Sequence, residues 1–486
     1  MNESRIQMMG KAWLFGISLL LASPVWGQTN TAPKRSLQEC VDIAWKNNLD
    51  VKQSEIQVAV NRNTLDQSRF TRLPTLNTAI TQGLNLGRNI DPFTNTYVTQ
   101  TLNYNNANLT STAIIYNGGI VNNTIRQNQL NVQASEFDVQ ATRDQVALNV
   151  VLAYLQVLNN EDVLAVSRTQ VEITQQQVTR TEKLVNAGAL PQANLLDLQA
   201  QFANDELSVV TAENNLAISR VQLLQLMNEP EIRELVLDRM SINTPDDTYQ
   251  TPIQDIYATA VQTQSAVKAA DLRTLSARKG VDIARGGYFP SLGFNLSVGS
   301  NYSSAARRSL AGTPTTITNT AFVEFEGQQV PITFTTTQPG FLTQNIPWSE
   351  QLTNNLNGGI GLSLRVPIFN AYQVRYRAST ANLNVKSQEY QAANVRLQLR
   401  QNIEQAYVNM TSAAKRYASL TRQVESLELA FKAAESRFNA GAINSVDYNL
   451  AKSNLDRSRI NQIQAKYDYV LRIKVLDYYQ NKPLSF

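Results

Sequence analysis

The chain has 486 residues, 43% of them hydrophobic, enough for a large core or for two to three domains. Lys+Arg 43 against Asp+Glu 39 leaves a net charge of +4. There is no basic stripe interleaved with aromatics, so nucleic-acid recognition is not expected. With no histidine and one cysteine, most zinc and copper chemistry, histidine general-base catalysis and any internal disulfide are excluded. No nucleophile elbow or acid–base pair at helical spacing is present, and neither an enzyme nor a cofactor or metal site is expected.

In chain order, the first feature is an export signal over residues 1–27. Arg5 and Lys11 precede an apolar run from Trp13 to Ala22, small residues follow, and cleavage after Gly27 is expected. The run is too short to cross a bilayer, and no later segment approaches the ~20 apolar residues of a spanning helix. If this exported chain enters a membrane, it does so by strands.

Residues 28–230 read as one structural unit: a helix near 36–72, a β-hairpin over 74–116, a long helix over 118–187 and a return helix over 191–229. After a linker at 231–252, residues 253–480 repeat the plan, with strands at 290–300 and 357–369, a long helix at 371–440 and a return helix at 444–480. Residues 481–486 form a tail. "NAGAL" at 186–190 and "NAGAI" at 439–443 lie 253 positions apart, and "YNGGIVNN" at Tyr116 overlies "FNAYQVRY" at Phe369 with the same offset. Upstream the offset is 216, matching "RLPTLN" at 72–77 to the sequence around Pro290. The difference is an insertion between Ser300 and Asn357, whose Thr, Gln, Asn, Ser and Pro suit a surface loop.

The long helices carry heptads. Val150, Val157, Leu164, Val171, Val178 and Val185 share one seam, and Leu195, Phe202, Val209, Leu216 and Leu223 continue it after the corner. The strands alternate with period two. Leu292, Phe294, Leu296 and Val298 share a face, as do Ile360, Leu362, Leu364, Val366 and Ile368. The first pair does the same through Leu76, Ile80, Leu84 and Leu86, then Leu109, Ala113 and Ile115. Their lengths suit tilted membrane strands of ~9–11 residues. Four strands cannot close a barrel; two chains would supply eight and three would supply twelve. The residues do not choose between them.

At the corners, Gly188 and Gly441 suit the left-handed position that ends a helix, and Pro191 suits the first turn of a returning helix. Asn444 can cap the second return helix, with Asp447 reaching back to it. Asp447 and Asp197 also read as first-turn aspartates favoured by the helix dipole. The paired glycines at 118–119, 286–287 and 358–359 read as hinges, and Arg72, Arg285 and Arg365 as solvated residues near the strand ends.

The duplication, the heptads, the corners and "GLNLGRNIDPFTNTYVTQTLNYN" (83–105) together resemble the TolC-type outer-membrane efflux protein family, in its Bacteroidetes-type form. The resemblance covers residues 28–486. It implies an α+β membrane protein: a homotrimeric 12-stranded β-barrel in outer-membrane lipid, continued across the periplasm by a 12-helix coiled-coil α-barrel. It implies a passive exit duct for efflux or type I secretion, working with a periplasmic adaptor and an inner-membrane pump of the resistance-nodulation-division or ABC type. It also implies aspartates ringing the periplasmic entrance: Asp447 matches the first such position, while the second is Leu450, with Asp197 in that slot of the first repeat. Asn186, Gly188, Leu190, Asn439, Gly441 and Ile443 are the expected adaptor contacts. The alternative is an exported coiled-coil scaffold or adhesin without a pore, which explains the heptads but not four alternating strands.

Overall fold

The computed structural model describes residues 34–90, 95–99, 101–229, 235–239 and 251–482. The expected signal peptide, most of the linker and residues 483–486 lie outside them.

The first unit comprises β1 (Lys34–Arg35), α1 (Leu37–Asn47), α2 (Leu49–Phe70), β2 (Thr75–Asn85), β3 (Arg88–Ile90), β4 (Tyr97–Thr99), β5 (Leu102–Asn117), α3 (Ile120–Asn186) and α4 (Gln192–Met227). After β6 (Val236–Leu237), the second comprises α5 (Ile253–Thr263), α6 (Ser265–Gly286), β7 (Ser291–Ser303), β8 (Arg307–Phe325), β9 (Gln328–Asn345), α7 (Trp348–Asn354), β10 (Asn357–Arg365), α8 (Gln373–Asn439) and α9 (Ser445–Tyr479). Both long helices have 67 residues, about 100 Å at 1.5 Å per residue.

Two expectations need correction. The helix expected at 36–72 breaks at Asn48, whose ψ of 132° ends α1 and whose side chain caps α2 by accepting from the Asp50 and Val51 N–H groups. Ser36 and Glu39 close a capping box at the start of α1. The insertion expected as a surface loop is a long antiparallel hairpin, β8–β9, followed by the short helix α7. Its β-branched content favours strand, and in register Thr316, Thr318 and Thr320 face Thr337, Thr335 and Thr333.

The helices form a wall. Near the sheet the neighbours are α2–α3–α6–α8; toward the corners they are α4–α3–α9–α8. Half-length helices thus stack end to end beside each full-length one. Where they meet, Val150, Tyr154, Val157, Leu158, Leu223 and Met227 are buried with α1. The Tyr154 hydroxyl donates to the Asp238 carbonyl (2.9 Å), and the parallel β1–β6 pair lies against this core.

β10, β7, β5 and β2 form one antiparallel sheet in that order. Register gathers the apolar positions on one face: Ile360, Leu362 and Leu364 oppose Leu296, Phe294 and Leu292, and Leu109 opposes Val298. The other face carries Asn108, Thr110, Asn295, Ser297, Gly361 and Ser363. A register shift between Ile114 and Tyr116 leaves Ile115 as the bulged residue. At the junction with the helices, Gly118 (φ +65°) approaches the Gly286 carbonyl so closely that a Cβ would stand 2.2 Å from it.

Candidate functional site

Three features have functional geometry: the sheet, the paired corners, and the helix seam above the corners. The apolar face of the sheet is open to its surroundings. Ile360, Leu362, Leu364, Leu76 and Ile80 are all exposed, with aromatics at the helix junction (Phe70, Tyr116, Tyr288, Phe289, Phe369, Tyr372). One apolar face bounded by an aromatic girdle and backed by an Asn/Ser/Thr/Gly face is the pattern of a membrane strand with water behind it. β2 and β10 are edge strands, each with one hydrogen-bonding side unpaired within the chain. The outer edges of the helical wall are equally bare: Tyr376, Leu383, Tyr390 and Leu397 lie exposed at heptad spacing on α8, as do Leu49, Ile56 and Phe70 on α2.

The two corners are built alike. At the first, the Gly188 N–H donates to Val185 O (2.9 Å) and the Ala189 N–H to Leu184 O (2.8 Å). At the second, Gly441 donates to Phe438 O (3.0 Å) and Ala442 to Arg437 O (2.9 Å). This is the Schellman closure, and both glycines have the φ it demands, +72° and +73°. Pro191 stands at the N-cap of α4. Asn444 caps α9 by accepting from the Asp447 N–H (2.8 Å).

The corners also touch each other. Arg180 Nη1 donates to Asn439 Oδ1 (2.5 Å). Ser445 Oγ donates to Asp197 Oδ2 (2.8 Å) and reaches Asn194 Oδ1 (3.5 Å). Leu190, Ile443, Gly441 and Asn439 line a cleft of ≈ 440 Å³ between the corners. Asn186 and Gly188 are exposed beside it. Of the two aspartates singled out from sequence, Asp197 is bound to the neighbouring hairpin through Ser445. The Asp447 carboxylate is exposed and meets no cation within salt-bridge distance among the described residues.

Above the corners lies a feature that the sequence reading missed. The Lys452 side chain is 2% exposed, and its Nζ sits 2.8 Å from Asp205 Oδ2 and 2.7 Å from Asp456 Oδ2. Thr174 Oγ1 donates to Asp205 Oδ2 (2.6 Å) and Gln201 Nε2 to Asp205 Oδ1 (2.8 Å). One ammonium therefore joins α9 to α4, with α3 bonded to the same carboxylate. Burial pushes the Asp456 carboxyl up; the Lys452 charge opposes this and Asp205 adds to it. Tyr448 is fully buried, stacked on Phe438 with centroids 4.8 Å apart, and burial raises its hydroxyl pKa. The one legible sign was the Lys452–Asp456 spacing of four. Asp205 lies 247 positions away, and only the fold brings it there.

No helix among the described residues is long and apolar enough to cross a membrane, and no group of three potential metal-ligating side chains occurs among them. A membrane-facing sheet on a double helical hairpin defines the protomer of an outer-membrane channel. The chain matches the model of the outer membrane efflux protein family over residues 40–229 and 256–476, and it belongs to that family. Membership makes it an outer-membrane efflux protein.

It is 23% identical over 337 residues to outer membrane protein TolC of Escherichia coli (strain K12), covering 68% of this chain and 60% of that protein, so the match spans under two thirds of the relative's length. Among solved structures, CusC superposes with a TM-score of 0.72 at 14% identity over 92% of each chain. The Campylobacter jejuni outer-membrane channel CmeC gives 0.70 at 17% identity, over 92% of this chain and 87% of that one.

Proposed function

We propose that three copies of this chain form the passive exit duct of a tripartite efflux or type I secretion system. Their sheets close a 12-stranded barrel, and their helical walls close a 12-helix tunnel beneath it. The observation that carries this reading is the pair of unpaired sheet edges, β2 and β10, beside a lipid-facing surface. Each backbone group left open in hydrocarbon costs several kcal/mol, so an open four-stranded sheet is not tenable there. Pairing β2 of one copy with β10 of the next removes both edges. The bare heptad stripes on α8 and α2 support the same closure below the membrane.

In this reading the corners form the periplasmic mouth. Asp447, exposed and without a cation, contributes a ring of three carboxylates that draws cations to the entrance. Asp197 contributes a second, weaker ring, because Ser445 holds its carboxylate. The corner cleft, with Asn186, Gly188, Leu190, Asn439, Gly441 and Ile443, receives the periplasmic adaptor. The inner-membrane pump, of the resistance-nodulation-division or ABC type, supplies the energy.

The test is electrical and then genetic. The purified protein in a planar bilayer should give discrete, cation-preferring conductance steps, and Asp447→Asn should weaken that preference several-fold. Absence of any conductance would instead favour the poreless scaffold. Leu190→Asp with Ile443→Asp should abolish export while leaving the trimer intact; undiminished export would remove the corners from the partner contact.

A further inference from the structure

The two repeats differ where the sheet meets the long helix, and the difference builds a site. In the first repeat the strand ends with Tyr116 and the chain turns through Gly118 and Gly119, both at positive φ. At the matched positions, 253 further on, the second repeat has Phe369, Ala371 and Tyr372. Ala371 (φ +49°) and Tyr372 (φ +58°) hold the same left-handed conformation that the glycines hold freely. Two successive side chains in that region are strained, and such strain persists only where the surrounding structure holds it in place.

What Tyr372 does there is visible. Its ring meets Phe369 edge to face, with centroids 5.8 Å apart, and the Arg375 guanidinium lies 5.8 Å from the same ring. Phe369, Tyr372 and Arg375 are all exposed. Among the described residues no carboxylate lies within salt-bridge distance of Arg375. The matched position in the first repeat is Asn122, which accepts from Arg72 instead.

The orientation follows from the helix. Val374 and Ala378 are buried, with Val374 facing Gly287, while Tyr376 marks the free edge of the wall. Residues 375 and 377 then point to opposite sides of a wall one helix thick, about 200° apart. Beyond the end of β10, Ile368 is almost fully exposed and keeps the alternation of Ile360, Leu362 and Leu364, and the Phe369–Tyr372 pair follows it in the chain. Arg375 stands on that pair and therefore on the lipid side, at the depth of the aromatic girdle.

We propose that Phe369, Tyr372 and Arg375 bind the phosphate headgroup of an anionic phospholipid in the periplasmic leaflet, one site per copy. The two rings take the glycerol and upper acyl region and Arg375 takes the phosphate, a planar donor fork matched to it. At these three positions the first repeat has Tyr116, Gly119 and Asn122, so it lacks the second ring and the guanidinium. The proposal rests on the membrane reading of the sheet.

The test is thermal unfolding of the full mature protein in neutral detergent, with phosphatidylglycerol added to the micelles or with glycerol phosphate added free. Phosphatidylglycerol should raise the apparent Tm of the wild type by several degrees, and Arg375→Gln should lose most of that shift. Tyr372→Gly, which restores the glycine of the first repeat and relieves strain, should unfold no earlier than the wild type yet lose the lipid response. Free glycerol phosphate should have no effect. The site is overturned if Tyr372→Gly and Arg375→Gln respond like the wild type, or if glycerol phosphate reproduces the shift. Failure of the wild type to insert into liposomes would instead count against the membrane reading itself.

Discussion

The upper and lower halves of the helical hairpins are packed on different principles. Around Val150, Tyr154, Val157 and Leu223 the seam is apolar and closed by α1. Lower down, the buried positions of α3 are Ser167, Gln170, Thr174, Gln177 and Thr181, and the partner helices bring Asp205, Lys452 and Ser458. Several polar atoms there, including Gln170 Nε2, Gln177 Oε1, Tyr448 Oη and Ser458 Oγ, have no hydrogen-bond partner within the protein. An apolar seam resists rearrangement because any shift exposes area or opens a cavity. A polar seam can exchange its partners for water or another chain, so the lower half is the part suited to being remodelled at the mouth.

The largest expected effect is at Lys452. Lys452→Met strands the buried Asp205 carboxylate and the half-buried Asp456 carboxylate and should cost about 3–5 kcal/mol, confined to the lower half. Hydrogen exchange should accelerate at 167–181 and 445–458 but not at 150–158. The triple neutral variant Asp205→Asn, Lys452→Met, Asp456→Asn should recover most of the loss, because the stranded charges and not the missing ammonium carry the penalty. In the upper half, Leu223→Ala removes a fully buried side chain and should cost about 2–5 kcal/mol, read as an earlier global melt. If this loss stayed local, the two halves would not differ in cooperativity.

Next come the corners. Ala at Gly188 or Gly441 meets no neighbour but must hold a positive φ, at about 1–2 kcal/mol each. Because both glycines face open space, the two substitutions should be additive in thermal unfolding.

The seam should also sense pH. The Asp456 carboxyl is raised from 3.8, so the folded lower half binds a proton more readily than the unfolded chain. That contribution is fully present below pH 3.8 and is lost as pH rises through the raised value. Exchange at 445–458, corrected for intrinsic rates, should therefore slow as pH falls from neutral toward 4, and Asp456→Asn should abolish the trend. The smallest effect belongs to Arg168→Ala, which breaks an exposed pair with Glu213 and should cost under about 1 kcal/mol.

The contrast between the halves also explains what could be read in the sequence. Repetition was legible in detail: α3 runs from Ile120 to Asn186 and α8 from Gln373 to Asn439, at the offset of the two corner motifs. The sheet faces were legible from period-two alternation except at Ile115, expected on the apolar face but left out of register by the bulge, with Tyr116 opposite Leu292. The apolar seam was legible through Val150, Val157 and Leu164, which are buried. It failed below them. Val171, Val178 and Val185 are only half-buried, and the buried stripe has moved onto polar residues at the same heptad spacing. A search for apolar periodicity cannot see a seam of Ser, Thr and Gln. Nor could it see Lys452, which pairs across repeats with a residue near the opposite corner, or the β8–β9 hairpin, whose threonines read as loop composition.

A closed duct requires separate copies to cover the open sheet edges. Electron microscopy of the mature protein extracted from outer membranes in detergent tests this directly. The expected particle is a hollow cylinder with threefold symmetry, about 100 Å of it formed by α3 and α8. Single-chain particles, or solid rods without a lumen, would contradict it.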